Sequence, residues 1–117
     1  MSVWEKRAED AAAARLAAGV AEYGLDVPAE EILSGRRGSA RAAFARQVAM
    51  YLCHVGFELS LARITMAFAR DRSTVAHACH AIEDRREEPQ FELWISALET
   101  MLQHAPLPKA GAAMVKA

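Results

Sequence analysis

The stretch Arg70-Asp71-Arg72-Ser73-Thr74, with a His three residues further on at 77, gathers charged and hydroxyl side chains into a short run whose neighbours are small and apolar. Side chains of this kind make directional hydrogen bonds: Arg donates twice from a planar fork, and Ser and Thr both donate and accept. A second concentration of donors, Arg36, Arg37 and Arg41, lies in and just after a segment holding Gly35 and Gly38. By itself it reads either as an anion-binding loop or as an ordinary solvated one. Cys53, His54, His77, Cys79 and His80 supply the residue types of a zinc site, but not the paired spacings of one. No nucleophile motif surrounds either cysteine, so no metal, no cofactor and no catalysis are expected, and both thiols read as small core residues.

The charge distribution says what such donors would meet. The net charge of the chain is only −1, but Ser34 to Arg86 holds nine Arg against Glu58, Asp71, Glu83 and Asp84, a net of +5, while residues 1–33 carry −4 and 87–117 carry −2. A basic centre between acidic flanks predicts an anionic partner for the centre. Every basic residue there is Arg, which suits phosphates and guanine edges better than Lys does.

The elements that must position these groups follow from periodicity and punctuation. The 117 residues are 53% hydrophobic, dominated by Ala and Leu and poor in aromatics, which predicts one all-α domain. Ala and Leu at helical spacing predict a long helix from Val3 to Tyr23, stopped by Gly24. Pro28 opens a turn or two ending at Leu33, and residues 34–39 form a loop. Phe44, Val48, Tyr51, Leu52 and Val55 repeat at three and four and predict a second long helix over 41–54, ended at Gly56. Ser60 caps a short helix with Leu61, Ile64 and Phe68 on its apolar side. After Ala69-Arg70-Asp71, the residues Val75, Ala78, Cys79 and Ile82 repeat helically to about Arg86, with Asp71 or Ser73 as the cap. Pro89 restarts the chain for a last helix, Phe91 to Gln103, with Leu93, Trp94, Leu98 and Leu102 apolar. The tail from Ala105 has no period and is expected to be disordered. Trp4 and Trp94 are read as core or as a protein interface.

A helix, a three-residue turn and a second helix, over 60–86, is helix-turn-helix geometry, in which the second helix reads base edges with its N-terminal residues. Arg72, Ser73, Thr74 and His77 fall on one face of that helix's first turns, opposite Val75, Ala78 and Cys79. They are the candidate base contacts, Arg for guanine and the Thr methyl for thymine.

Arg46-Gln47-Val48-Ala49-Met50-Tyr51-Leu52, then Ser60-Leu61 with Ile64 and Phe68, then Arg70-Asp71-Arg72-Ser73-Thr74-Val75-Ala76-His77-Ala78-Cys79, resembles the C-terminal DNA-binding domain, domain IV, of the bacterial replication initiator DnaA. Val20-Ala21-Glu22-Tyr23 and Leu33-Ser34-Gly35-Arg36-Arg37 fit the same pattern, so the likeness runs from about residue 20 to 102. It implies a small helical bundle around a helix-turn-helix, Trp repressor-like, and double-stranded DNA as the partner. With the charge pattern it adds Asp71 to the base contacts, and assigns Arg36, Arg37, Arg41, Arg46, Ser60, Leu61, Arg63 and Arg70 to phosphates or the minor groove. Three departures stand out. The family usually has Gly-Gly before Arg-Asp and His after it, where this chain has Ala69 and Arg72. An Arg-Pro pair before Arg-Gln supplies the family's minor-groove Arg, and here Phe44-Ala45 stands in its place, leaving Arg36, Arg37 or Arg41 for that role. No Gly-rich phosphate loop with a following Lys occurs, and Lys stands only at 6, 109 and 116, so nucleotide-driven origin opening is not expected of this chain.

The expected layout is an N-terminal helical extension over 1–19, a DNA-binding domain over 20–104 and a tail over 105–117. The expected function is sequence-specific duplex binding in control of transcription or of replication initiation, without ATPase activity. The rival is a protein-interaction adaptor that keeps the helix-turn-helix as a scaffold. The N-terminal helix is the expected surface for a protein partner, with the Trp94 face as the alternative for the adaptor. No run approaches the roughly 18 apolar residues of a membrane span, and no signal peptide precedes the chain, so a cytoplasmic, nucleoid location without membrane contact is expected.

Overall fold

A computed structural model describes residues 2–105, and every regular element among them is a helix. Helix α1, Val3–Leu25, starts at a capping box: the Ser2 hydroxyl accepts from the Glu5 amide, and the Glu5 carboxylate accepts from the Ser2 amide. It ends two residues later than the sequence suggests, at Leu25, with Asp26 as its cap in the left-handed conformation (φ 57°). Gly24 does a different job from the stop expected of it. A Cβ there would lie 3.1 Å from Leu98 and 3.2 Å from Trp94, so glycine permits the last helix to close on α1.

The short α2, Ala29–Leu33, follows Pro28 and buries Ile32. Helix α3, Ala40–Gly56, is capped by Ser39, whose hydroxyl accepts from Ala42 at 3.0 Å. Gly56 closes it where a Cβ would meet Leu102 at 2.6 Å. Helix α4, Leu61–Phe68, is capped by Ser60, and α5, Arg72–Arg85, begins after a turn in which Ala69 is left-handed (φ 52°). Helix α6, Pro89–Gln103, returns along α1 and α3, burying Phe91, Ile95, Leu98 and Leu102.

The core is built around α3, whose Val48 to Cys53 are essentially inaccessible, and around a stripe of alanines on α1: Ala13, Ala14, Ala17, Ala18 and Ala21. Small side chains let α1 lie close to α3, which is why an alanine-rich helix can sit at the centre of the bundle. The boundary expected after residue 19 therefore falls inside one continuous core helix. Of the anticipated tail over 105–117, Ala105 ends the described chain and the rest lies outside the described residues.

Candidate nucleic-acid interface

Helix α5 divides its two sides sharply. Val75, Ala78, Cys79 and Ile82 are buried, while Asp71, Arg72, Ser73, Thr74 and His77 are all exposed. Asp71 occupies the N-cap position, yet its carboxylate makes no capping bond. None of these five side chains has a hydrogen-bond or ion-pair partner among the described residues. A helix start of this kind presents a donor fork, two hydroxyls, an imidazole and a carboxylate to solvent, together with the free amides of its first turn.

The loop before α3 is held against this edge by two arginines. The Arg46 guanidinium donates to the carbonyls of Ile32 (2.8 Å), Glu31 (2.9 Å), Arg36 (3.2 Å) and Arg37 (3.4 Å). Arg70, in the turn between α4 and α5, donates to Ser34 (2.9 Å) and Arg36 (3.3 Å). Both thus grip the same carbonyl of Arg36. Burial, and the nearby charge of Arg70, lower the pKa of Arg46 from its ordinary value. Arg46 is only 5% exposed, so the phosphate contact expected of it is replaced by an internal role. Its neighbours give the reason: Ala42, Ala45 and Ala49, at helical spacing from it, are all buried, so its side of α3 faces inward.

The same sorting applies to the other expected ligands. Arg41 donates to the carbonyl of Leu25 and so satisfies the end of α1. Arg63 forms a two-pronged ion pair with Asp10 of α1, at 2.6 and 3.1 Å, which raises its pKa above the ordinary value. Ser60 uses its hydroxyl on the Arg63 amide at 3.2 Å, leaving the first amides of α4, at Leu61 and Ala62, as donors without a partner among the described residues. Arg36 and Arg37 remain exposed, with side chains that have no partner among the described residues. The structure therefore separates positioning arginines (46 and 70, with 41 and 63 tying helices together) from presented ones (36, 37 and 72). An open cleft of about 570 Å³ joins the two presented groups, lined by Gly35, Arg37, Gln47, Ala69, Asp71 and Thr74 among others. Gln47 was not singled out from sequence, although it stands beside Arg46 in the motif. Asp10 was missed as well, and its signal was a lone carboxylate in the register of the buried alanines of α1.

The remaining reactive groups are enclosed. No set of three His, Cys, Asp or Glu among the described residues is placed to hold a metal ion. Burial pushes the thiol of Cys53 up to about 12 and that of Cys79 up to about 11, the reverse of an activated nucleophile. Trp94 stacks on Phe44 and packs against Phe91, with ring centroids 6.4 and 5.5 Å away, whereas Trp4 is exposed. No helix among the described residues is long and apolar enough to cross a membrane.

Residues 6–82 match the family described as "Bacterial dnaA protein helix-turn-helix". The chain is 42% identical over 82 residues to the chromosomal replication initiator protein DnaA 2 of Chlamydia caviae, and 41% identical over 78 residues to the DnaA protein of Lachnoclostridium phytofermentans. The Aquifex aeolicus DnaA protein is 39% identical over 82 residues. These alignments cover 70%, 65% and 68% of this chain but only 17%, 17% and 20% of the three relatives.

Proposed function

The chain belongs to the family of the bacterial DnaA helix-turn-helix, a DNA-binding rather than a catalytic module, and from that premise we infer that it binds duplex DNA sequence-specifically and regulates replication initiation by occupying sites related to the initiator's. Transcription at genes carrying such sites would respond to the same occupancy. The observation that carries this reading is the exposed start of α5, where Asp71, Arg72, Ser73, Thr74 and His77 have no partner among the described residues and stand beside a loop whose backbone is fixed by Arg46 and Arg70. In the major groove, Arg72 at the first helical position is suited to a guanine, Thr74 and His77 follow two and five residues on, and Arg36 and Arg37 reach phosphates or the adjacent minor groove. The amides at Leu61 and Ala62 suit a phosphate on the other side of the groove.

The test is binding to a short duplex carrying an initiator-type site, and to a random duplex, over a range of salt. Counterion release predicts a steep fall in affinity with salt, and replacing both Arg36 and Arg37 by Ala should weaken both duplexes alike and reduce the slope by about 1 to 2 units. If only duplexes with A·T-rich flanks weaken, the loop reads the minor groove. No duplex binding at any salt would overturn the reading in favour of the adaptor, for which the exposed Trp4 and Val3 on α1 are the supporting observation.

A further inference from the structure

The N-terminal turns of α1 carry side chains that the core does not cover. Val3 is 64% exposed, and Met66, facing it from α4, is 62% exposed. Val3, Lys6 and Arg7 of α1, with Ala62 and Met66 of α4, line a trough of about 260 Å³, which runs on past Arg7 and Met66 into a second hollow of similar size. The Asp10–Arg63 pair lies across its floor, each charge answering the other. The rim is different. Lys6 and Arg7 have no carboxylate partner among the described residues, and Arg7 instead lies over the ring of Trp4, 5.6 Å from its centre. Of the nearby acids, Glu5 is turned to the Ser2 amide at 3.0 Å, and Glu9 forms no ion pair with either cation among the described residues. Two unpaired cations therefore border an apolar hollow within a flank whose net charge is otherwise negative.

We propose that this trough docks an acidic amphipathic segment of a partner protein, with its apolar side chains seated between Val3 and Met66 and its carboxylates on Lys6 and Arg7. The surface is formed in advance, because the capping box keeps the first turns of α1 helical without a partner. It is joined to the helix-turn-helix through the Asp10–Arg63 pair, and it shares only Ala62 with the surface proposed for DNA, none of its residues belonging to the edge around Arg72 or to the loop at Arg36. A docked segment and a duplex would then ride on one rigid body, meeting only at the start of α4.

The experiment uses the full chain and two fluorescein-labelled helical peptides of about 18 residues, each with Leu at a spacing of three and four. One carries Glu and Asp at its other positions, the second Lys. The acidic peptide should bind the wild type. Met66→Glu should weaken it about tenfold or more, and the double variant Lys6→Glu/Arg7→Glu should weaken it similarly while gaining affinity for the Lys peptide. Affinity for a duplex should stay within about twofold in both variants, which separates failure here from failure of the DNA-binding reading. Circular dichroism melting checks that the exposed substitutions leave the fold intact. The proposal is overturned if the acidic peptide does not bind at about 1 mM, or if both peptides bind alike. It also fails if Lys6→Glu/Arg7→Glu removes duplex binding, which would give the rim to DNA. A fall in sedimenting mass on Met66→Glu would instead assign the trough to a second copy of the chain.

Discussion

Arginines stand at the two ends of helix α5, Arg72 as its first residue and Arg86 as its C-cap, and these two do opposite things. At the C-terminal end, Arg86 donates to both oxygens of Glu92 (2.6 and 3.0 Å), to Glu99 (2.9 Å), to the Tyr51 hydroxyl (3.0 Å) and to Ser96 (2.9 Å). Only 18% of its side chain remains accessible. These hydrogen bonds, the one to Glu92 foremost, push its pKa further above the ordinary arginine value. At the N-terminal end, Arg72 is exposed and unpartnered among the described residues. One helix thus ends in a charge fully answered inside the protein and begins with one that only an outside anion can answer. A count of arginines cannot tell these cases apart, whereas the carboxylates around each one can.

Arg86→Ala should produce the largest effect, because it leaves Glu92, Glu99 and Tyr51 without their common donor. A loss of about 2 to 3 kcal/mol in urea unfolding is expected, discounted for the solvent reaching Glu92, with duplex affinity of the folded protein unchanged. The hydrogen bond from Arg86, with help from Ser96, holds the Glu92 carboxyl down to about 2 from its usual 4.5. A depressed carboxylate stabilises the fold above its unfolded value and loses that contribution as pH falls toward 2, and this part of the acid dependence should vanish in Arg86→Ala.

Arg72→Ala should do the reverse, lowering affinity for the preferred duplex by about 1 to 3 kcal/mol more than for random DNA, with the melting temperature unmoved. An equal loss on both duplexes would make Arg72 a phosphate contact, and a lower melting temperature would dissolve the contrast between the two ends. The smallest effect lies in the turn between the two helices. Ala69 is left-handed where L residues are disfavoured, so Ala69→Gly should raise stability by about 0.5 to 1 kcal/mol in the same urea assay. No gain would mean that the greater freedom of glycine in the unfolded chain offsets the relief of strain.

The helices were legible because their signals are local: Ser60 before an apolar repeat, Val75-Ala78-Cys79-Ile82 at helical spacing, and Pro89 at a restart. The exposed face of α5 followed from the same spacing. What could not be read was which arginines look inward, since Arg46 and Arg36 differ in environment and not in type, and the carbonyls that claim Arg46 belong to residues 9 to 15 positions away. The placement of α1 was hidden for a related reason. A stripe of alanines is helix-favouring wherever it sits, and only the fit of those small side chains against α3 makes Ala12, Ala13, Ala14, Ala17 and Ala18 part of the core.

The double grip of Arg46 and Arg70 on the Arg36 carbonyl bears on the time course of binding. A loop already fixed before the duplex arrives has no ordering step to complete during encounter, so association should proceed at an electrostatically steered rate that differs little between cognate and random sequences. Discrimination would then be found in how long the complex lasts, with Arg72 governing the residence time and the loop arginines governing the rate of arrival.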